Sequence, residues 1–294
     1  MISSNLLTLC DDFQGILLDA YGVFWAGNEF GLLPGAKETM EQLVSRDKIV
    51  GILSNSTQLA SKEIAKYHQH GLIQGKHFHF FVTSGEVAKE VVSKRELPFP
   101  TPRNAFWILS GDHPKFSSHQ AIFQDSIYRE TAHLDEADFI YISIPHRQGE
   151  DQTDPEMFRS EIEAIKRTNL PMLCANPDRF AQEGNPPQLV VRQGSMASMY
   201  ESLGGTVFYL GKPHPHAYAA AMRHFEHYHI SNPAHVLMVG DTPETDIRGA
   251  RRFGMSSALL TQTGIMGDRI QHQGQAAIDA LPPHDQPTFF LQRL

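Results

Sequence analysis

The chain has 294 residues, 41% of them hydrophobic and 20% charged, the balance of an ordinary globular protein with room for one large domain or two moderate ones. A formal net charge of −8 argues against a general binder of nucleic acid or anionic membrane. Two cysteines, Cys10 and Cys174, make neither a disulfide framework nor a zinc-ligand set, and no apolar segment reaches the roughly 20 residues that span a bilayer. The opening Met1-Ile2-Ser3-Ser4-Asn5 lacks the basic start of a signal peptide, so a cytoplasmic location is expected.

In chain order, Gly15-Ile16-Leu17-Leu18 is an apolar run that stops at Asp19, and Gly22 then lets the chain turn. A buried parallel strand would deliver Asp19 in this way to the carboxyl edge of a sheet, where open α/β folds place ligands. Pro34-Gly35 opens a helix with Ala36, Met40, Leu43 and Val44 at helical spacing. A second run, Ile49–Leu53, ends in Ser54-Asn55, a helix follows through Ile64 and Tyr67, and Phe80–Val82 reads as a third strand. Alternation of this kind implies right-handed βαβ units on a parallel sheet.

From about Thr83 the pattern changes. Prolines crowd residues 98–102, and strands are expected at Phe106–Leu109, Phe139–Ile142 and Met172–Ala175, with a helix over Met157–Arg167. These elements read as an inserted α+β domain. Val207–Gly211 then ends in Lys212, and Val236–Gly240 ends in Asp241, followed by a helix through Ile247 and Ala250 to Phe253. Further strands are expected at Ser257–Leu260 and Thr288–Leu291. Four apolar runs that each stop at a polar group suggest one shared rim bearing a carboxylate, a hydroxyl, a cation and a second carboxylate.

Asp19, Asp241 and Asp246 offer hard oxygen ligands of the kind that suit Mg²⁺, although Asp246 by itself reads equally well as a helix N-cap. Lys212 can neutralise a phosphate and keep a carboxylate ionised, and Ser54, Asn55 and the amides after them can donate to phosphate oxygens. Together these parts suit phosphoryl transfer.

Asp19-Ala20-Tyr21-Gly22-Val23, Ser54, Gly211-Lys212-Pro213-His214-Pro215 and Gly240-Asp241-x-x-x-x-Asp246 resemble, in order, the four motifs of the haloacid dehalogenase (HAD) superfamily. Leu33-Pro34-Gly35-Ala36, Ser54-Asn55-Ser56-Thr57, Thr83-Ser84-Gly85-Glu86 and Asn176-Pro177-Asp178 resemble its class IIA, NagD-like branch. The resemblance implies a doubly wound, Rossmann-like parallel-sheet core (residues 1–83 and 207–294) with an inserted α+β C2-type cap (84–206). It implies Asp19 as nucleophile and metal ligand, and Lys212 as the residue that orients it. The Tyr21 backbone carbonyl and Asp241 would complete the protein's share of a Mg²⁺ shell that Asp246 supports. Ser54, Asn55 and Gly22 would bind the phosphoryl group, while Asn176 and Asp178 in the cap would face the Asp19 pocket and meet the substrate.

The expected activity is Mg²⁺-dependent hydrolysis of a small phosphorylated metabolite through an aspartyl-phosphate, without nucleic-acid or membrane partners. Relatives that pair through their caps allow a homodimer. One position departs from the pattern. Superfamily phosphatases carry a second Asp two residues after the nucleophile as general acid and base, and here that residue is Tyr21. Asp-x-Tyr-Gly is instead the pattern of haloacid dehalogenases, which need no metal and lack the full Gly-Asp-x-x-x-x-Asp motif kept here. The alternatives are therefore a phosphate- or nucleotide-binding pseudo-enzyme with weak turnover and, behind it, a carbon–halogen hydrolase.

Overall fold

The structure is a computed structural model that describes residues 5–28, 30–112, 117–183 and 188–294. The Met1–Ser4 stretch of the signal-peptide reading lies outside them. Contacts divide the chain into two compact units, one of residues 1–54, 60–82 and 212–294, the other of residues 55–59 and 83–211.

The first unit is built on a six-stranded sheet. Its strands are β1 (Gly15–Leu18), β2 (Ile49–Ser54), β3 (Phe80–Thr83), β11 (Val236–Gly240), β12 (Ser256–Leu260) and β13 (Phe289–Leu291). The spatial order is β13-β12-β11-β1-β2-β3. β1 pairs in parallel with both β2 and β11. Every residue of β1 and β11 is buried, as expected of central strands covered by helices on both faces. Between β1 and β11 the strand order reverses direction, and that reversal makes the crevice at the carboxyl ends where doubly wound folds hold ligands.

The amphipathic helices Ala36–Ser45 and Ala60–Gln69 pack on this sheet; Met40, Leu43 and Tyr67 join the core of Ile16, Leu18, Val50 and Val239. Ala36, Met40 and Leu43 recur at the helical period, which is what commits the segment to a helix with one buried face. Among the described residues, no helix is long and apolar enough to cross a membrane.

The second unit holds a five-stranded sheet of β4 (Ala105–Leu109), β5 (Arg129–Glu130), β6 (Phe139–Ile142), β7 (Met172–Cys174) and β10 (Val207–Tyr209), in the order β10-β7-β6-β4-β5. All four of its pairings are parallel, and its antiparallel component is a separate ribbon of β8 (Phe180–Glu183) and β9 (Gln188–Val191). Ile140, Ile142, Phe158, Ile162, Val191 and Tyr200 centre its core. The expected helix over Met157–Arg167 divides into a 3-10 turn, Pro155–Phe158, and an α-helix, Arg159–Lys166.

One expectation about the rim is corrected. Val207–Tyr209 does not share a sheet with β1, β2 and β11; it pairs with β7 as an edge of the five-stranded sheet. Its residues are only half-buried, as suits an edge strand, and an apolar run alone does not say which of two sheets will take it.

Candidate active site

Parallel register assembles the site before any side chain is considered. Leu18 lies opposite Ile52 on β2 and opposite Val239 on β11, and the Asp19 amide extends the second ladder by donating to the Val239 carbonyl at 2.9 Å. Asp19, Ser54 and Asp241 therefore leave three adjacent strands at nearly the same height, beside the crevice. Ser54 is buried there, at the last position of β2.

Lys212 reaches the same place from the connection after β10. Its Nζ donates to Asp19 Oδ1 at 2.5 Å and to Asp246 Oδ1 at 2.7 Å, with the lysine side chain 3% exposed. Burial alone would lower its pKa, but the charges of Asp19 and Asp246 outweigh that and raise it, so it is held as a cation. Asp246 is fully buried. Its second oxygen accepts from the backbone amides of Asp241 and Thr242 at 3.2 and 3.1 Å. It sits in a π-helical turn, Pro243–Ile247, just before the helix Arg248–Phe253, and so does not itself open that helix. Its role is to tie the end of β11 to Lys212.

Asp241 is held from three sides. Its Oδ1 accepts from the Thr242 hydroxyl at 2.9 Å and its Oδ2 from the Ile265 amide at 2.7 Å. Gly22 and Gly264 crowd it as only glycines can. Both have positive φ, +75° and +62°, and a Cβ at either would lie 2.3 or 1.8 Å from Asp241 Oδ2. The Gly22 turn is closed by its amide donating to the Trp25 carbonyl at 2.9 Å. Gly264 and Ile265 escaped the sequence reading. The signal was available, since Ser256–Leu260 is another apolar strand that breaks off into Thr261-Gln262-Thr263-Gly264.

One oxygen from each of Asp19, Asp241 and Asp246 lies within 4.8 Å of the other two. Three carboxylates facing one ammonium leave two negative charges in excess, in a buried place. The cost appears in the acidities. Burial pushes Asp19 up to about 7, with Asp246 adding to the rise and Lys212 opposing it. Burial, then Asp19 and Asp246, raises Asp241 as well. Hard oxygens with an excess charge of this size fit a divalent cation. Asp246 is the most deeply buried of the three and is tied to both Lys212 and the backbone, whereas Asp19 and Asp241 keep some exposure, which makes them the better donors.

Tyr21 follows Asp19 by two residues and is 37% exposed. In the second unit, the Asn55 amide donates to Asp178 Oδ1 at 2.8 Å, and Asn176 Oδ1 accepts from the Asp178 amide at 2.9 Å. Segment 55–59 belongs to this unit because the start of the helix Ser84–Lys94 binds it. Ser84 Oγ donates to the carbonyls of Asn55 and Ser56 at 2.8 and 2.9 Å, and Gly85 approaches Thr57 too closely for any Cβ.

A buried carboxylate at a strand end, a lysine held against it and a second acidic pair at the reversal of a parallel sheet define a class of hydrolase. Residues 16–115 match the family model for haloacid dehalogenase-like hydrolases, and residues 209–293 match one described as HAD-hydrolase-like. The chain belongs to the haloacid dehalogenase-like hydrolases, whose two models together span more than half of it. It is 27% identical to chronophin of Bos taurus over 268 residues, covering 86% of this chain and 82% of that one. Its fold is shared with a haloacid dehalogenase-like hydrolase from Brucella suis 1330, at TM-score 0.79 and 23% identity with both chains fully covered. A possible sugar phosphatase of Cytophaga hutchinsonii ATCC 33406 also shares it, at TM-score 0.74 and 21% identity, covering 100% of this chain and 98% of that one.

Proposed function

We propose that this phosphatase hydrolyses the monoester of a small phosphorylated metabolite, with Asp19 as nucleophile and Mg²⁺ as its cation. The observation that carries the reading is the buried Asp19–Lys212–Asp246 chain beside Asp241, at the reversal of the sheet. Lys212 holds Asp19 ionised and turned toward the crevice. Asp19 attacks phosphorus, the P–O bond to the leaving group breaks, and water then cleaves the resulting aspartyl-phosphate to free phosphate and restore the carboxylate. Ser54, Asn55 and Gly22 donate to the phosphoryl oxygens. Asp19, the Tyr21 carbonyl and Asp241 would hold Mg²⁺, with Asp246 supporting, and the bound ion neutralises charge on those oxygens. The second unit would serve as the family's cap and select the substrate through Asn176 and Asp178.

Asp241→Asn tests the cation site without relying on turnover. Saturating Mg²⁺ is expected to stabilise the wild-type protein by about 2.7 kcal/mol at a concentration one hundred times the dissociation constant. The variant should lose most of that gain, together with metal-dependent activity. A variant with an undiminished Mg²⁺ response would remove Asp241 from the site.

Tyr21 sets a second expectation. A phenol with an ordinary pKa near 10 is a poor substitute for a carboxyl acid, so alkyl phosphates, whose leaving groups need a proton, should react far more slowly than aryl or acyl phosphates. Tyr21→Asp is expected to raise the ratio of alkyl-ester to aryl-ester turnover about 10–100-fold, less than the full worth of a well-seated general acid. The check is a leaving-group series under saturating Mg²⁺. Parallel slopes for the two proteins would mean that the proton comes from elsewhere.

A further inference from the structure

Beside Tyr21 the first unit has a lysine that the reaction just described does not use. Lys66 lies in the helix Ala60–Gln69, with its side chain 25% exposed. Its Nζ stands 4.4 Å from the ring centre of Tyr67, 5.4 Å from that of Tyr21 and 5.5 Å from that of Trp25, and 2.5 Å from Glu63 Oε2 one turn earlier. Tyr67 and Trp25 are fully buried and meet edge to face at 5.0 Å, and Glu63 is 5% exposed. Two of the three rings are thus fixed by packing and the ammonium is fixed by a buried carboxylate. Tyr21, 37% exposed, is the outermost wall of this cage. The Tyr67 phenol, raised chiefly by burial, also feels the charges of Glu63 and Asp19, so the cage stands within electrostatic reach of the nucleophile.

We propose that Lys66 is a positioning residue for Tyr21: the ammonium, held by Glu63 and caged by Trp25 and Tyr67, attracts the Tyr21 ring face and fixes the residue that follows the nucleophile by two. A cation within about 6 Å of an aromatic face is attracted by the ring quadrupole, most strongly where water is excluded. Fixing that ring also steadies the backbone on either side of it, between Asp19 and the Gly22 turn against Asp241. The contact sets which way an exposed aromatic faces at this position. The inference rests on the phosphatase reading for its kinetic consequences, and on the cage geometry alone for its structural ones.

The test uses Lys66→Met, Lys66→Arg, Tyr21→Leu and the Lys66→Met/Tyr21→Leu double variant, with Lys66→Met/Glu63→Gln to guard against misfolding from an orphaned carboxylate. Lys66→Met is expected to lower kcat on an aryl phosphate about threefold, the scale of one partly exposed cation–aromatic contact, with KM little changed. Lys66→Arg should restore most of the loss. In the Tyr21→Leu background Lys66→Met should cost almost nothing more, because the lysine acts through the ring. In parallel, ring-labelled tyrosine NMR should show the Tyr21 signals, assigned by their loss in Tyr21→Leu, moving in Lys66→Met and returning in Lys66→Arg. Equal kcat losses in both Tyr21 backgrounds, or Tyr21 signals that do not respond to Lys66→Met, would overturn the proposal. If the wild-type protein turned over no phosphate ester, the phosphatase reading would fall, and the NMR comparison would still decide the role of Lys66.

Discussion

Asp19→Asn should lower turnover of any phosphate ester by about four orders of magnitude or more, while the protein remains folded and at least as stable as the wild type. The two halves of this expectation come from the same cluster. An amide cannot form the aspartyl-phosphate, so the covalent route closes. The amide is also nearly the same size and carries no charge, and it stands where three carboxylates face one ammonium. Removing that charge relieves the cost of burying it, which with the repulsion from Asp246 already holds Asp19 up to about 7. Kinetics and thermal denaturation of one purified variant read both halves. A loss of activity with a fall in melting temperature would mean that Asp19 is chiefly a structural partner of Lys212.

Lys212→Met is the converse case. It should cost about 3–5 kcal/mol of stability in the presence of a chelator, because breaking a buried ion pair strands its partners, here Asp19 and the fully buried Asp246. Activity should fall about a thousandfold through loss of the ionised, oriented nucleophile. The pH dependence has a definite sign. Asp19 already has a folded pKa of about 7, above the roughly 3.9 of an unfolded Asp, so its contribution to stability is full below about pH 4 and lost as pH rises toward 7. Without the lysine that loss should extend to higher pH, so the variant should be closer to wild-type stability at pH 5 than at pH 8. Denaturant unfolding at the two pH values measures this. A penalty independent of pH would point to lost packing and not to stranded charge.

Much of this site was legible because strand ends are written in one dimension. Leu18-Asp19, Leu53-Ser54 and Gly240-Asp241 each mark where a buried apolar run meets polar chemistry, and parallel pairing in register then brings them to one rim. The helices Ala36–Ser45 and Ala60–Gln69 were legible for the same reason, from the period of their buried residues. Val207–Tyr209 misled because sheet membership is a tertiary choice. The half-buried strand suits the edge of the second sheet as well as the rim of the first, and Lys212 reaches its partners from the connection that follows.

The residues that cradle Asp241 were hidden for a different reason. The Ile265 amide acts through the backbone, and the glycine at 264 matters for the side chain it lacks, so neither advertises itself by residue type. Lys66 was hidden because a lysine on an amphipathic helix ordinarily faces solvent. Only the folded arrangement shows three rings and a buried glutamate gathered around it.

The central claim is that Asp19 carries the phosphoryl group. The most direct measurement is a rapid acid quench of the enzyme turning over an aryl phosphate with Mg²⁺, followed by peptide mass spectrometry. The account predicts a phosphorylated acidic side chain at Asp19, labile to base and hydroxylamine, and its absence from Asp19→Asn. Turnover at an undiminished rate in Asp19→Asn, or a phosphoryl group trapped on a different residue, would contradict it.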